Sequence, residues 1–161
     1  MDTQMDFVNR IETKSEPLES AVRSIIDRHT SDLSIIIHKI RDMLRDDTDV
    51  LSDDEIDDIL LQLPLVLYDI TDDQEVVGLQ LDLAEQIRKE AHNEALKLAR
   101  GTVQEKQATA ELSTLVEQLD VRIYDRSYKT IKQKISMAIE TLNAVKKVRD
   151  NRMQKQNLSR F

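Results

Sequence analysis

Glycine and proline are almost absent from this sequence, since its 161 residues include only 2 Gly and 2 Pro. Sandwiches, barrels and nucleotide-binding folds with glycine-rich loops need many more turn residues than that. The sequence also has no Cys, which excludes disulfide scaffolds, thiol catalysis and Cys-ligated zinc. Its hydrophobic content of 40% is sufficient for a buried core. We therefore expect an all-α protein: an elongated helical bundle or coiled coil of three to four helices with a long C-terminal helix.

A heptad-like apolar pattern predicts the first helix. Residues 1–14 are expected to form a flexible N-terminus, after which Ser15 supplies an N-cap and Pro17 lies in the first turn. Steps of three and four residues then separate the members of a seam within residues 15–46, which are Leu18, Val22, Ile25, His29, Leu33, Ile36, Ile40 and Met43. This spacing predicts one long amphipathic helix. We interpret His29 as a packed seam residue, because no second metal ligand lies near it.

Residues 47–63 are interpreted as an acidic linker and a short helix. Ser52 and Glu55 have the spacing of a capping box at the start of that helix, and Pro64 predicts its end near residue 63. The acid-rich spacing lacks the combination of Gly and Glu that an EF-hand loop requires. A helical hairpin core is expected over 64–152, with helices over 64–100 and 102–152, followed by a basic tail over 153–161.

The strongest periodic pattern lies in the last helix. Thr102 and Glu105 form a second capping box, and a heptad seam follows that we expect to be a packing or oligomer interface: Tyr124, Tyr128, Ile131, Ile135, Ala138, Leu142 and Val145. One helix over 103–152 would be about 75 Å long, too long for a compact chain of this size. The pattern thus predicts an elongated molecule or a hinge near 119–123. The seam is expected to pack against the first helix or against another copy of the chain.

Charge is unevenly distributed along the chain, which has a net charge of −8. Residues 121–161 contain 11 basic and 3 acidic side chains, whereas residues 42–76 contain 13 acidic side chains and one basic one. This asymmetry is typical of proteins that bind a polyanion, of proteins that associate head-to-tail with another copy, or of proteins that do both. On a helical wheel, a basic ridge lies opposite the seam, consisting of Arg122, Arg126, Lys129 and Lys147. The ridge is interpreted either as a phosphate-binding surface or as a solvated face or docking site for an acidic protein segment.

Signals for catalysis, cofactors and membranes are weak. The sequence has no phosphate-binding glycine loop and no nucleophile motif, so we expect no enzyme activity, no catalytic residue and no cofactor. Asp82, Glu85 and His92 share a helix face, but acid-rich helices produce such spacing by chance, and we expect no metal site. The longest apolar runs are far shorter than a membrane span, and the N-terminus does not resemble a signal peptide. We expect a cytoplasmic protein without a membrane partner.

The arrangement of the second half of the chain resembles a known family. Leu63, Pro64 and Leu65 lead to Tyr68, a long helix rich in Lys, Glu and Ala follows, and the terminal helix contains the stretch Tyr124-Asp125-Arg126-Ser127-Tyr128-Lys129. This layout, over about residues 63–152, resembles the small recombination-mediator proteins of tailed bacteriophages.

The resemblance implies a homo-oligomeric, ring-like protein of the host cytoplasm. It further implies binding of single-stranded DNA and loading of a recombinase onto strands coated by a single-strand-binding protein. The DNA-contact candidates that it implies are Arg122, Arg126, Lys129, Lys132, Lys147, Arg149 and Arg152.

A second hypothesis stays open beside this one. An acidic helical body with a basic C-terminal helix is also typical of structural or assembly proteins, such as phage scaffolding or chaperone-like factors, which act through coiled-coil contacts with other proteins. Tyr124 and Tyr128 bear on the choice, because single-strand binders stack bases on aromatic side chains. Both tyrosines lie on the seam, however, and core packing is the favoured interpretation for them.

Overall fold

The chain is all-α in the computed structural model, which describes residues 2–45 and 51–158. Helices and short connections account for all of these residues. The four helices are α1 (Asp2–Arg45), α2 (Asp53–Leu98), α3 (Val103–Ser113) and α4 (Leu115–Leu158). No helix within the described ranges is both long and apolar enough to cross a membrane. The expected all-α bundle with a long C-terminal helix is confirmed.

The helices form two compact units. Unit 1 combines residues Met1–Asp27 with Glu75–Thr130, and unit 2 combines Arg28–Gln74 with Ile131–Phe161. Helices α1, α2 and α4 each contribute one part to unit 1 and another to unit 2, whereas α3 belongs to unit 1 alone. Each unit is therefore assembled from segments that are distant in the sequence.

Both predicted capping boxes are present. The Ser52 N–H donates to Glu55 Oε2 at 2.7 Å and the Glu55 N–H donates to Ser52 Oγ at 3.2 Å, which satisfies two amides at the start of α2. These hydrogen bonds from Ser52 lower the pKa of Glu55. Thr102 and Glu105 form the same arrangement at the start of α3, and it lowers the pKa of Glu105 in the same way.

Gly101 is required by the turn between α2 and α3. Its φ of 114° lies in the left-handed region, where a residue with a Cβ is strained. An added Cβ would also lie 2.5 Å from Glu105 Oε2, one of the capping atoms. The glycine thus permits the chain to reverse close to the capping box.

Pro64 does not end a helix, contrary to the sequence prediction of a short helix that stops near residue 63. Helix α2 continues through it to Leu98, although an internal proline removes one hydrogen bond and costs about 3 kcal/mol. Leu63, Leu67 and Ile70 on either side of this position are buried. Their burial holds the segment helical, because each buried side chain contributes about 1.5–3 kcal/mol.

Three further helix boundaries differ from the prediction. Helix α1 begins at Asp2 rather than after residue 14, so Pro17 lies inside it and not in its first turn. Helix α4 extends to Leu158, so residues 153–158 are helical and not a tail. Residues 47–50 of the predicted linker and residues 159–161 of the predicted tail lie outside the described part of the chain.

The third difference is an interruption at Thr114, between α3 and α4, where the sequence predicts either one continuous helix or a hinge near 119–123. The buried Thr114 hydroxyl donates to the Ala110 carbonyl at 3.0 Å, and the Thr114 N–H donates to the Glu111 carbonyl at 3.4 Å. Threonine competes in this way for backbone acceptors. The hydroxyl bond alone does not end the helix, since Thr71 and Thr109 form the same bond inside α2 and α3. What differs at Thr114 is its N–H, which bonds to the carbonyl three residues earlier instead of four.

The C-terminal seam is turned inward. Its members in unit 2 are buried, with the exception of the half-buried Ile135: Ile131, Ala138, Leu142 and Val145 have at most 8% of their surface exposed. They belong to the same core as Leu33 and Ile40 of α1 and Ile56, Ile59 and Leu63 of α2. In unit 1, Tyr124 and Tyr128 are half-buried. On the α1 seam, His29 is also half-buried, and its Nδ1 lies 3.4 Å from an Asp73 carboxylate oxygen.

Candidate nucleic-acid interface

In unit 1, helix α4 places three of the DNA-contact candidates on its exposed side. Arg122 and Arg126 are exposed, and so is Lys129. Lys129 Nζ lies 2.8 Å from Asp125 Oδ2, one helical turn earlier. A pair of this kind on a helix surface is worth only about 0.3–0.5 kcal/mol, so a phosphate group can compete for the lysine at little cost.

The structure adds a cation that the sequence does not single out. Arg23 of α1 lines a groove of about 400 Å³ together with Arg122 and Arg126 of α4. The walls and floor of this groove are completed by Ser15, Leu18, Glu19, Val22, Ile26 and Ile123. We call it the arginine groove. Because the sequence does not reveal which turn of α1 lies beside which turn of α4, no pattern in either helix alone predicts it.

In unit 2, two of the candidates pair with carboxylates of α2. Arg149 Nη2 lies 3.2 Å from an Asp57 carboxylate oxygen. Arg152 donates from Nη1 to the Leu51 carbonyl and to Asp53 Oδ1, the latter at 3.0 Å. These bonds join the end of α4 to the acidic start of α2, so the two helices are antiparallel there.

These ion pairs place part of the acidic segment of the sequence against part of its basic segment. Carboxylates in the first turn of a helix are favoured by the helix dipole. Asp53 of that turn pairs with Arg152, and Asp57, one turn later, pairs with Arg149. The Arg152 side chain is 23% exposed. Arg152 is therefore better described as a fold-stabilising residue than as a DNA contact, whereas Arg149, which is 46% exposed, keeps access to solvent.

The remaining two candidates in unit 2 face solvent. Lys132 and Lys147 are exposed side chains of α4. Lys134, by contrast, points toward α1 and donates from Nζ to Thr30 Oγ1 at 3.0 Å. Alternate lysines of one helix thus have different roles, because residues two positions apart lie on different faces of a helix.

The tyrosines are positioned for packing. The half-buried Tyr128 ring lies against Gly78 of α2, where an added Cβ would be 3.4 Å from Tyr128 Cε2. Ser127 beside it is fully buried and donates to the Ile123 carbonyl at 2.8 Å. A ring that packs against a helix backbone in this way has one face covered, which reduces the area available for base stacking.

A second open groove in unit 1, of about 990 Å³, lies between α2 and the α3–α4 segment. It brings Arg88, Lys89 and His92 of α2 toward Glu111 and Arg122. Among the described side chains there is no group of three or more His, Asp or Glu residues placed to hold a metal ion. The Asp82, Glu85 and His92 face of the sequence is therefore not assembled into a ligand cluster.

Comparison of the chain with family models, with curated proteins and with solved structures gave no significant match.

Proposed function

We propose that this protein is a non-enzymatic, single-stranded-DNA-binding accessory of bacteriophage recombination or replication, of the recombination-mediator type, acting in the host cytoplasm. The observation that carries the proposal is the two-sided character of α4. Its seam is turned inward, while six of its seven candidate cations are exposed: Arg122, Arg126, Lys129, Lys132, Lys147 and Arg149. Such cations bind phosphates without sequence preference and in a salt-dependent manner. The resemblance of residues 63–152 to phage mediators supports the same function.

Self-association belongs to the proposal. Exposed apolar side chains recur along α2 at helical spacing, at Leu61, Leu65 and Tyr68 in unit 2. Contiguous exposed apolar patches of this kind mark protein–protein contacts. A homo-oligomer would present several copies of the cations to one DNA strand and raise the overall affinity without any new contact. A recombinase is the further protein partner that the mediator role requires.

The proposal is tested by fluorescence anisotropy with a labelled oligothymidylate at rising salt concentration. Wild-type protein is expected to bind at low salt, with an affinity that falls as salt rises. On single strands each phosphate contact contributes about 0.7 to the salt slope. The triple variant Lys129→Gln, Lys132→Gln, Lys147→Gln is therefore expected to lower the slope by about 2.

A matched variant controls for net charge. Lys39, Lys89 and Lys97 are exposed on α1 and α2, and their replacement by glutamine removes the same charge elsewhere. This control is expected to keep most of the wild-type slope. Absence of binding by wild-type protein at low salt would refute DNA binding, and equal losses in the two triple variants would refute the location on α4.

The alternative function is that of a structural or assembly protein, such as a scaffolding or chaperone-like factor. It is favoured by the exposed apolar surface of α2, which in unit 1 includes Leu79, Leu83 and Ile87. Light scattering of wild-type protein and of a Leu83→Glu variant, combined with the anisotropy titration, separates the two functions. A stable oligomer that fails to bind oligothymidylate at low salt supports the assembly function over the mediator function.

A further inference from the structure

The arginine groove is unusual in its charge balance. Among the nine described residues that line it, three are arginines, one from α1 and two from α4, and one is an acid, Glu19. Arg122 and Arg126 are one helical turn apart, an arrangement in which like charges repel each other. Arg23 adds a third positive charge from the opposite wall. The fold therefore maintains an electrostatic cost at this position, which a bound anion would offset.

Glu19 does not neutralise the arginines. Glu19 Oε1 accepts a hydrogen bond from Ser15 Oγ at 2.7 Å. Among the side chains that the structure describes, none forms an ion pair or hydrogen bond with Arg23, Arg122 or Arg126. All three guanidinium groups are exposed and keep their donors for a ligand. A guanidinium donates in a planar fork that matches a carboxylate.

The lower part of the groove is aliphatic. Leu18, Val22, Ile26 and Ile123 line it, and each of them is half-buried. A strand of nucleic acid makes poor use of such a surface, because bases are held by stacking on aromatic side chains and none of the described residues that line the groove is aromatic. A bulky apolar side chain, in contrast, gains from every part of the aliphatic surface that it covers. The volume of about 400 Å³ lies in the usual range for ligand sites.

We infer that the arginine groove is a docking site for an acidic peptide segment of a partner protein, in which carboxylates pair with Arg23, Arg122 and Arg126 and a bulky apolar side chain covers Val22 and Ile123. The partner is recognised by this combination of charge and apolar group. The groove shares Arg122 and Arg126 with the cations proposed for DNA contact, whereas Lys129, Lys132 and Lys147 do not line it. It does not depend on DNA binding, and its cation Arg23 lies on a different helix from all of them.

The test is fluorescence polarisation of the full chain with the labelled peptide GDDDSLDLF, whose C-terminus is amidated. Two control peptides separate the contributions: GSSSSLSLF lacks the acids, and GDDDSSDSS lacks the bulky apolar side chains. The wild-type protein is expected to bind the first peptide and to lose about ten-fold or more in affinity for each control. Equal binding of the three peptides, or no binding of the first one, would overturn the inference.

Variants locate the site. Arg23→Glu is expected to weaken peptide binding about ten-fold or more and to leave oligothymidylate binding nearly unchanged. Arg41→Glu makes the same charge reversal at another exposed position of α1 and is expected to leave both unchanged. Val22→Ser removes part of the apolar surface without a change of charge, and it is expected to weaken the binding of GDDDSLDLF but not that of GDDDSSDSS.

Competition identifies the class of ligand. Unlabelled oligothymidylate that displaces the peptide and binds less tightly to the Arg23→Glu variant would make the groove a nucleic-acid site and overturn the inference. Sodium laurate is the second competitor. If it displaces the labelled peptide at the same concentration as unlabelled peptide does, the groove is a general site for amphipathic anions and the inference is overturned. Circular dichroism of each variant, with Arg23→Ala as the milder substitution, ensures that lost binding reflects the site and not the fold.

Discussion

Replacement of Gly78 by alanine is expected to stabilise the protein. Gly78 lies inside α2, where glycine costs about 0.5–1 kcal/mol relative to alanine because it loses more backbone freedom on folding. The structure shows that the methyl group has space: its carbon would lie 3.4 Å from Tyr128 Cε2 and 3.8 Å from Tyr128 Cδ2. These are ordinary van der Waals distances, so no steric penalty opposes the gain in helix propensity.

We expect Gly78→Ala to raise the free energy of unfolding by about 0.5–1 kcal/mol and the thermal midpoint by about 2–4 °C per kcal/mol for a chain of this size. Urea denaturation followed by the helical circular dichroism signal measures the first quantity, at one fixed protein concentration. Gly78→Leu serves as the opposite case. Its larger side chain must displace the Tyr128 ring, and overpacking of this kind costs about 1–3 kcal/mol.

A double-mutant cycle identifies the cause. If the Tyr128 ring is what limits the size of residue 78, the cost of Gly78→Leu must shrink in a Tyr128→Ala background, because the two residues are in contact. A destabilising Gly78→Ala substitution would refute the spacing argument. So would a cost of Gly78→Leu that is the same with and without the Tyr128 ring.

Three further predictions concern the fold. Pro64→Ala restores a backbone donor at an exposed helical position and is expected to raise the free energy of unfolding by about 1–3 kcal/mol, which urea denaturation measures; a loss would mean that the proline relieves a strain elsewhere. Ile131→Ala empties a fully buried position and should cost about 2–5 kcal/mol in the same assay, whereas a cost below about 1 kcal/mol would show that the site is not a packed core position. The pKa of Glu55 is lowered in the folded state, so its contribution to stability is present at neutral pH and is lost as the pH falls below the ordinary glutamate value of 4.5. Glu55→Gln, which can still donate and accept hydrogen bonds at the cap, is expected to make thermal midpoints less dependent on pH below that value, and an unchanged pH profile would contradict this assignment.

Local signals in the sequence were sufficient for the all-α class and for the starts of α2 and α3. A capping box involves two side chains three residues apart, as in Ser52 with Glu55 and Thr102 with Glu105, and needs no information about the rest of the chain. The inward-facing seam of α4 is equally local, because a heptad repeat defines one face of a helix wherever its partner lies.

Local signals in the sequence were misleading where tertiary packing outweighs them. Pro64 has the local character of a helix terminator, but the burial of Leu63 and Leu67 outweighs the hydrogen bond that it removes. Thr114 gives no warning in the sequence, because threonine is otherwise an ordinary helix residue here: Thr71, Thr109 and Thr141 lie inside uninterrupted helices. Such competition between local preference and burial is decided only in the folded chain.

The candidate site could be predicted only in part, because some of its contacts depend on tertiary packing. The wheel identified which cations of α4 lie opposite the seam, yet it could not show that Arg149 and Arg152 are held by Asp57 and Asp53 from a helix about a hundred residues earlier. The wheel also could not show that Arg23 and Arg126 line the same groove. Long-range partners need the register between helices, and the sequence of a single helix does not contain it.

The discontinuous composition of unit 2 has a consequence for the order of events during synthesis. Its first segment, residues 28–74, leaves the ribosome well before residues 131–158, which supply Ile131, Leu142 and Val145 to the shared core. Ile56 and Leu63 therefore stay accessible to solvent until about the last fifth of the polypeptide has been translated. The newborn chain passes through an interval in which its hydrophobic surfaces are open to chaperones or to neighbouring nascent chains.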